Sequence, residues 1–366
     1  MKLLIVEDSA LMRRVLRENF ADQDDLDLAF ARDGGDALEK LESFEPDVIT
    51  LDINMPKMDG LTCLAHIMEQ RPCPVIMLSS LTDKGAVATF EALELGAVDF
   101  VAKPDGTVSV NLESVMGELK RKIRSAASGR SARTARPTRR ARTPAPRPRS
   151  IAPAADTRRK ATRTYVPDLL LIGSSTGGPG SLQTLLEGIP ADFPAPILIA
   201  QHMPPKFTAA FAKRLNDTCN VEVVEVSETR PLHAGVVYLA AGGGDVVVRK
   251  KLNRLVAEPA TSDPQFVWHP SVSRMVASAL DHVPANRLMG VMLTGMGDDG
   301  SDEMAEIHKQ GGSTIAESQE TAAVFGMPGQ LIEKDGASVV LPVHEIAAEL
   351  CRWTSSLSSA RRRQCS

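Results

Sequence analysis

Between Ser125 and Arg163, twelve basic side chains face a single acid, Asp156. The residues among them are mostly Pro, Ala, Ser and Thr and show no apolar repeat. Such a stretch has nothing to bury that would offset the entropy of ordering it. No single core can include it, so the chain must fold as two units, 1–124 and 164–354. Residues 125–163 are expected to be a disordered linker and 355–366 a short tail. The chain carries −4 overall, so the +11 of the linker leaves −15 on the rest. Two acidic domains thus flank a basic tether. A length of 366 residues suits two cores, and 43% hydrophobic residues suffice to fill them.

No apolar run approaches the roughly 20 residues of a membrane span, and the Met1-Lys2-Leu3-Leu4-Ile5 start lacks a signal peptide's length and cleavage site. No membrane insertion is expected, and a cytoplasmic location is. Cys63, Cys73, Cys219, Cys351 and Cys365 form no C-x-x-C pair, so neither a zinc site nor a disulfide framework is indicated.

The first unit alternates strand and helix signals, the pattern of a doubly wound parallel sheet. Lys2 to Val6 is an apolar strand ending in Glu7-Asp8, and Asp47 to Leu51 ends in Asp52. Val75 to Leu78 ends in Ser79-Ser80, and Phe100 to Ala102 in Lys103-Pro104. Helical patterns separate these strands, so carboxylates, a hydroxyl and a lysine meet at one sheet edge. Adjacent carboxylates repel unless a cation sits among them, and Mg²⁺ suits a site with few protein oxygens and several waters. With it, Asp52 can attack a phosphoryl donor while Lys103 and Ser79 stabilise the phosphate oxygens.

In the second unit, Leu169 to Ile172 delivers Gly173-Ser174-Ser175-Thr176-Gly177-Gly178. A serine on a glycine-flanked turn after a buried strand is where a nucleophilic hydroxyl is mounted. The ordinary alternative is a glycine-rich turn or a phosphate cradle at a helix start. Ile197 to Ala200 then ends in Gln201-His202-Met203-Pro204, making His202 a candidate base. Leu288 to Leu293 ends in Thr294-Gly295-Met296-Gly297-Asp298-Asp299-Gly300, where either Asp298 or Asp299 can orient an imidazole. Strand ends of one open sheet lie together, so the three groups can converge. Their order, Ser, His, Asp, differs from that of α/β-hydrolases.

Residues 1 to about 124 resemble a response-regulator receiver. The resemblance implies an acidic, Mg²⁺-binding site of Glu7, Asp8 and Asp52, with Asp52 the phosphoacceptor and the Asn54 carbonyl a further metal ligand. It gives Ser79 the hydroxyl place, Phe100 the aromatic switch and Lys103 the active-site lysine. Residues from about 165 to 354 resemble the catalytic domain of CheB-type protein-glutamate methylesterases. The resemblance rests on Ile172 to Gly178, Gln201-His202-Met203-Pro204, Leu293 to Gly297 with Asp299-Gly300, and Val324-Phe325-Gly326-Met327-Pro328. It implies Ser175 as nucleophile, His202 as base and Asp299 as orienting acid, with Met296 supplying an oxyanion N–H and Thr176 lining the site. It also implies that the catalytic domain needs no cofactor.

Two doubly wound α/β domains are therefore expected, a flavodoxin-like receiver and a Rossmann-like three-layer methylesterase domain. The implied activity is demethylation of glutamate methyl esters on methyl-accepting chemoreceptors, with deamidation of certain receptor glutamines. A CheA-type histidine kinase is the implied phosphodonor, and the unphosphorylated receiver is expected to pack over the Ser175 cleft. The chain departs from the family at Ser174, often Ala, at Ser273, usually Asp, and in lacking a His near Gly242 to Asp245. A DNA-binding response regulator using the basic linker is the rival reading. No helix-turn-helix pattern follows the receiver, and the linker lacks aromatic residues to stack on bases, so nucleic acid is not the expected partner.

Overall fold

The structure is a computed structural model that describes residues 1–80, 82–103, 112–134 and 165–354. In the first domain the elements are β1 (Lys2–Val6), α1 (Ala10–Phe20), β2 (Asp27–Ala31), α2 (Gly34–Phe44) and β3 (Val48–Asp52). They continue with α3 (Gly60–Gln70), β4 (Val75–Ser79), α4 (Asp83–Glu94), β5 (Asp99–Ala102) and α5 (Leu112–Thr134). The strands pair in parallel in the order β2-β1-β3-β4-β5. Helices cover both faces, so β1, β3 and β4 read as continuous apolar runs, not as alternation. Leu3 and Ile5 pack with Leu16, Phe20 and Ile123 on one face, and Leu4 and Val6 with Leu41 and Leu64 on the other. Side chains start the helices: Asp33, Asp59 and Thr82 accept N–H bonds from Asp36, Thr62 and Gly85.

Helix α5 runs past the expected domain end at residue 124. Ala126 and Ala127 extend the buried stripe of Met116, Leu119 and Ile123, and the helix continues to Thr134. The expected linker beyond residue 134 and the tail 355–366 lie outside the described residues.

The second domain contains β6 (Leu169–Ser174), α6 (Gly178–Glu187), β7 (Ile197–Gln201), α7 (Pro205–Thr218), β8 (Glu222–Val226), β9 (Arg230–Pro231) and β10 (Val236–Ala240). A hairpin, β11 (Asp245–Lys251) and β12 (Arg254–Ala260), precedes α8 (Val272–Leu280) and β13 (Leu288–Met292). The last elements are α9 (Ser301–Lys309), β14 (Ser313–Glu317), α10 (Met327–Glu333), β15 (Val339–Leu341) and α11 (Val343–Thr354). A seven-stranded parallel sheet has the order β15-β14-β13-β6-β7-β10-β8, and β11-β12-β9 form a separate antiparallel sheet. Strand order reverses around β6, putting the ends of β13, β6 and β7 side by side, where open α/β sheets hold ligands. Among the described residues no helix is long and apolar enough to cross a membrane.

The two domains pack through α4 and α7. Phe90 stacks on Phe211 with ring centroids 5.2 Å apart, Phe100 lies 4.5 Å from Phe207, and Glu94 pairs with Arg214. Aromatic pairs at these separations add about 0.5–1.5 kcal/mol each beyond the area they bury.

Candidate functional site

The Ser175 turn is built from backbone. Ser175 N–H donates to Thr294 O at 3.0 Å and Ser174 O accepts from His202 N–H at 3.1 Å, tying the ends of β6, β13 and β7 together. Gly177 starts α6 at φ 77°, left-handed backbone that favours glycine, and offers no capping side chain. A Cβ on Gly295 would lie 2.8 Å from Ser175 Cβ, so only glycine lets the β13 loop approach the serine this closely. Gln201, whose role the sequence did not disclose, fastens the turn from below. It accepts from Ser174 Oγ at 2.7 Å and donates to the Ser175 and His202 carbonyls at 3.0 Å each. Ser174 therefore turns its hydroxyl inward. Met296 and Thr176 line the same cleft. The Met296 N–H has no acceptor among the described residues.

His202 Nε2 lies 2.8 Å from Asp299 Oδ2, while its Nδ1 is buried without a hydrogen-bond partner among the described residues. Asp299 sits on the N-terminus of α8. It accepts from Val272 N–H at 2.7 Å, Ser273 N–H at 2.9 Å and Ser271 Oγ at 3.0 Å, where helix N–H groups favour an anion. Burial pushes the Asp299 carboxyl up. The His202 hydrogen bond and charge, with the Ser273 and Val272 N–H groups, outweigh it and hold the carboxyl below its ordinary value. Asp298 is exposed. Ser273, a departure from the family pattern, accepts from Gly300 N–H at 2.8 Å and so keeps the Asp299 loop against α8. The imidazole also stacks on Trp268, with centroids 5.1 Å apart and an interplanar angle of 10°. Sequence reading missed Trp268; its rarity, one of two tryptophans, beside His269-Pro270 was the available signal.

Glu317, also missed, ends β14 fully buried. It accepts from Thr294 N–H at 2.7 Å and Thr321 Oγ1 at 2.8 Å and so braces the strand end that holds Ser175. Burial pushes its carboxyl up, against the three hydrogen bonds that lower it. A raised acid contributes stability that is complete below its unfolded value and is lost as pH rises through the folded value. A glutamine in its place would not titrate and so would lack that loss, and the Ser181 and Thr321 hydroxyls can turn to accept from its amide. Glu317→Gln is therefore expected to raise the denaturant midpoint more at pH 8 than at pH 5. Equal changes at the two pH values would overturn this reading.

At the receiver edge, Glu7, Asp8 and Asp52 offer oxygens that all lie within 4.8 Å of one another. Lys103 Nζ is 2.8 Å from Glu7 Oε2 and 2.7 Å from Asp52 Oδ2. Burial raises both carboxyls despite Lys103, so one ammonium does not fully compensate two buried acids. Burial also opposes the charge of Lys103, but the two acids outweigh it and hold the ammonium above its usual value. This donor set of hard oxygens fits a divalent cation. Asn54 follows at the exposed lip, its N–H donating to Asp52 Oδ1 at 3.2 Å. Ser79 faces inward: its hydroxyl donates to Gly85 O at 3.1 Å and accepts from Thr89 Oγ1 at 2.8 Å. Phe100 is buried against Phe207, and Lys122 donates to its carbonyl at 2.7 Å.

A cleft of about 540 Å³ runs between the two domains. Lys103, Val115, Glu118 and Arg121 line one side, and Ser175, His202, Trp268 and Met296 the other. Helix α5 thus walls the cleft that holds the candidate nucleophile.

Two family models match the chain: response regulator receiver domain over residues 3–110 and CheB methylesterase over residues 170–350. The chain is 49% identical to protein-glutamate methylesterase/protein-glutamine glutaminase 3 of Rhodospirillum rubrum, over 97% of this chain and 96% of that protein. It is 47% identical to protein-glutamate methylesterase/protein-glutamine glutaminase 2 of Rhodopseudomonas palustris, over 96% and 98%. The solved CheB methylesterase catalytic domain of Thermotoga maritima covers 51% of this chain and 99% of its own, at 36% identity and a TM-score of 0.49. The DNA-binding alternative gains no support, because an α/β sheet domain follows the receiver. With a receiver in front, a CheB methylesterase domain behind and full-length relatives of the same composition, the chain belongs to the protein-glutamate methylesterase/protein-glutamine glutaminase family.

Proposed function

We propose that the protein is a phosphorylation-controlled serine hydrolase that demethylates glutamate methyl esters on chemoreceptors and deamidates certain receptor glutamines. The observation that carries this reading is the Ser175 turn meeting the His202–Asp299 pair at adjacent ends of one parallel sheet. His202 gives Nε2 to Asp299, which leaves Nδ1 to take the Ser175 proton as Oγ attacks the ester carbonyl. The Met296 N–H is the candidate donor to the tetrahedral oxyanion. Collapse breaks the bond to methoxide, which leaves as methanol with the proton from His202. Water, deprotonated by the same nitrogen, then releases the glutamate carboxylate and restores Ser175. With a glutamine substrate the leaving group is ammonia.

Glu7, Asp8 and Asp52, with the Asn54 carbonyl, are the groups that would hold Mg²⁺ in the receiver. The ion would neutralise charge between these acids and a phosphoryl group. Asp52 is the proposed phosphoacceptor, Lys103 a partner for phosphate oxygens, and a CheA-type histidine kinase the donor. Ser79 would leave Gly85 to reach the phosphate, pulling on α4, while Phe100 couples β5 to Phe207. The expected place of action is the cytoplasm.

The test is methanol release from methylated receptor membranes, with and without acetyl phosphate. Wild-type protein should accelerate with the donor. Asp52→Asn should stay at the unphosphorylated rate whether or not acetyl phosphate is present, because the amide cannot take the phosphoryl group. An Asp52→Asn variant that still responds to acetyl phosphate would remove Asp52 from the control of this site.

A further inference from the structure

Trp268 is touched by both the imidazole of His202 and a guanidinium from the other domain. Its ring centroid is 5.1 Å from that of His202, and Arg121 Cζ on α5 lies 5.1 Å from the same indole. We propose that Trp268 is the positioning residue for His202, and that the receiver acts on the base through this indole by way of Arg121. The inference rests on the hydrolase reading above and adds to it: control reaches the alignment of the base as well as entry to the cleft.

A histidine ring turns about a broad, soft torsion, so one hydrogen bond at Nε2 leaves it free to pivot. Asp299 fixes His202 in the ring plane, and Trp268 bears on its face. One short segment bears on both supports: it carries Trp268, and its Val272 and Ser273 N–H groups hold Asp299. A shift of this segment would therefore move acid and indole together.

Charge gives the contact its direction. The face of an indole attracts cations, and an imidazolium forms against Trp268 whenever Ser175 gives up its proton. Arginine is always charged. While α5 lines the cleft, the indole is already engaged by a permanent cation, and the new imidazolium must form near a second positive charge. Withdrawal of α5 frees the indole for His202. The receiver in place thus opposes proton transfer as well as access.

The experiment uses the full-length chain with and without acetyl phosphate. Steady-state methanol release is measured for wild type, Trp268→Phe, Trp268→Ala and Arg121→Gln. Phosphorylated Trp268→Ala should lose about tenfold in kcat with KM within about twofold, and Trp268→Phe, which keeps an aromatic face, should recover most of the loss. A rise in KM alone would make Trp268 only a wall of the substrate cleft and overturn the proposal. The other tryptophan, Trp353, is buried in the core, so subtracting the Trp268→Phe emission spectrum from that of the Trp268-containing protein isolates Trp268. Arg121→Gln should change that emission as acetyl phosphate changes it in wild type, and should raise the unphosphorylated rate several-fold. Emission indifferent to both would sink the link to the receiver. Wild type that releases no methanol under any condition would remove the hydrolase reading, and with it the positioning role; the emission measurement needs no turnover and would still decide whether Arg121 reports to Trp268.

Discussion

Ser175→Ala is expected to lower methanol release by on the order of 10⁶ in kcat, the scale of loss when a serine nucleophile is removed from a hydrolase triad. The change deletes one oxygen from a turn held by backbone and by Gln201, so the fold should persist. Its neighbour offers the contrast. Ser174 Oγ is buried and donates to Gln201 Oε1 at 2.7 Å. Ser174→Ala should keep most of the activity and instead cost about 1–3 kcal/mol of stability, because it strips a buried carbonyl oxygen of its donor. Paired measurements of methanol release and denaturant midpoint separate the two serines. If Ser174→Ala were inactive and Ser175→Ala active, the nucleophile would have been misassigned.

The parallel sheets were legible because strands covered on both faces must be apolar throughout. Leu169 to Ile172 and Leu3 to Val6 announce themselves, and the polar residue that ends each run marks the functional edge. The antiparallel sheet was not legible. Its hairpin turns at Leu252 and Asn253, both at positive φ of 47° and 61°, so the usual Asn-Gly signal is absent. The end of α5 was missed because alanines carry its last buried stripe within an arginine-rich, otherwise linker-like sequence. In the site, residues whose chemistry is local were readable: Ser175 on its glycine turn, His202 and the Asp298-Asp299 pair at strand ends. Gln201, Glu317, Trp268 and Arg121 act through partners distant in sequence; only Trp268 carried a signal, its rarity, and nothing local distinguishes the other three from any buried amide, buried acid or surface arginine.

Asp299→Asn is expected to cost about 10³–10⁴ in kcat, and Asp298→Asn little. The Asp299 carboxylate accepts four hydrogen bonds: Ser271 Oγ and Ser273 N–H at Oδ1, Val272 N–H and His202 Nε2 at Oδ2. An asparagine has one acceptor oxygen, and either orientation sets its NH₂ against a backbone N–H. The orientation that keeps the oxygen toward Ser271 and Ser273 also presents a donor to Nε2, favouring the tautomer with its proton on Nδ1. That nitrogen could then no longer take the Ser175 proton. Asp298 is exposed, so its change should leave stability and turnover near wild type. The pH dependence gives a second check. Asp299 is held below the ordinary carboxylate value, so its contribution to stability is present above the unfolded value and lost as pH falls through the folded one. Wild type and Asp299→Asn should therefore differ most in denaturant midpoint near pH 7 and converge in strong acid. Equal losses of turnover at the two aspartates, or a stability gap that widens as pH falls, would remove Asp299 from its role.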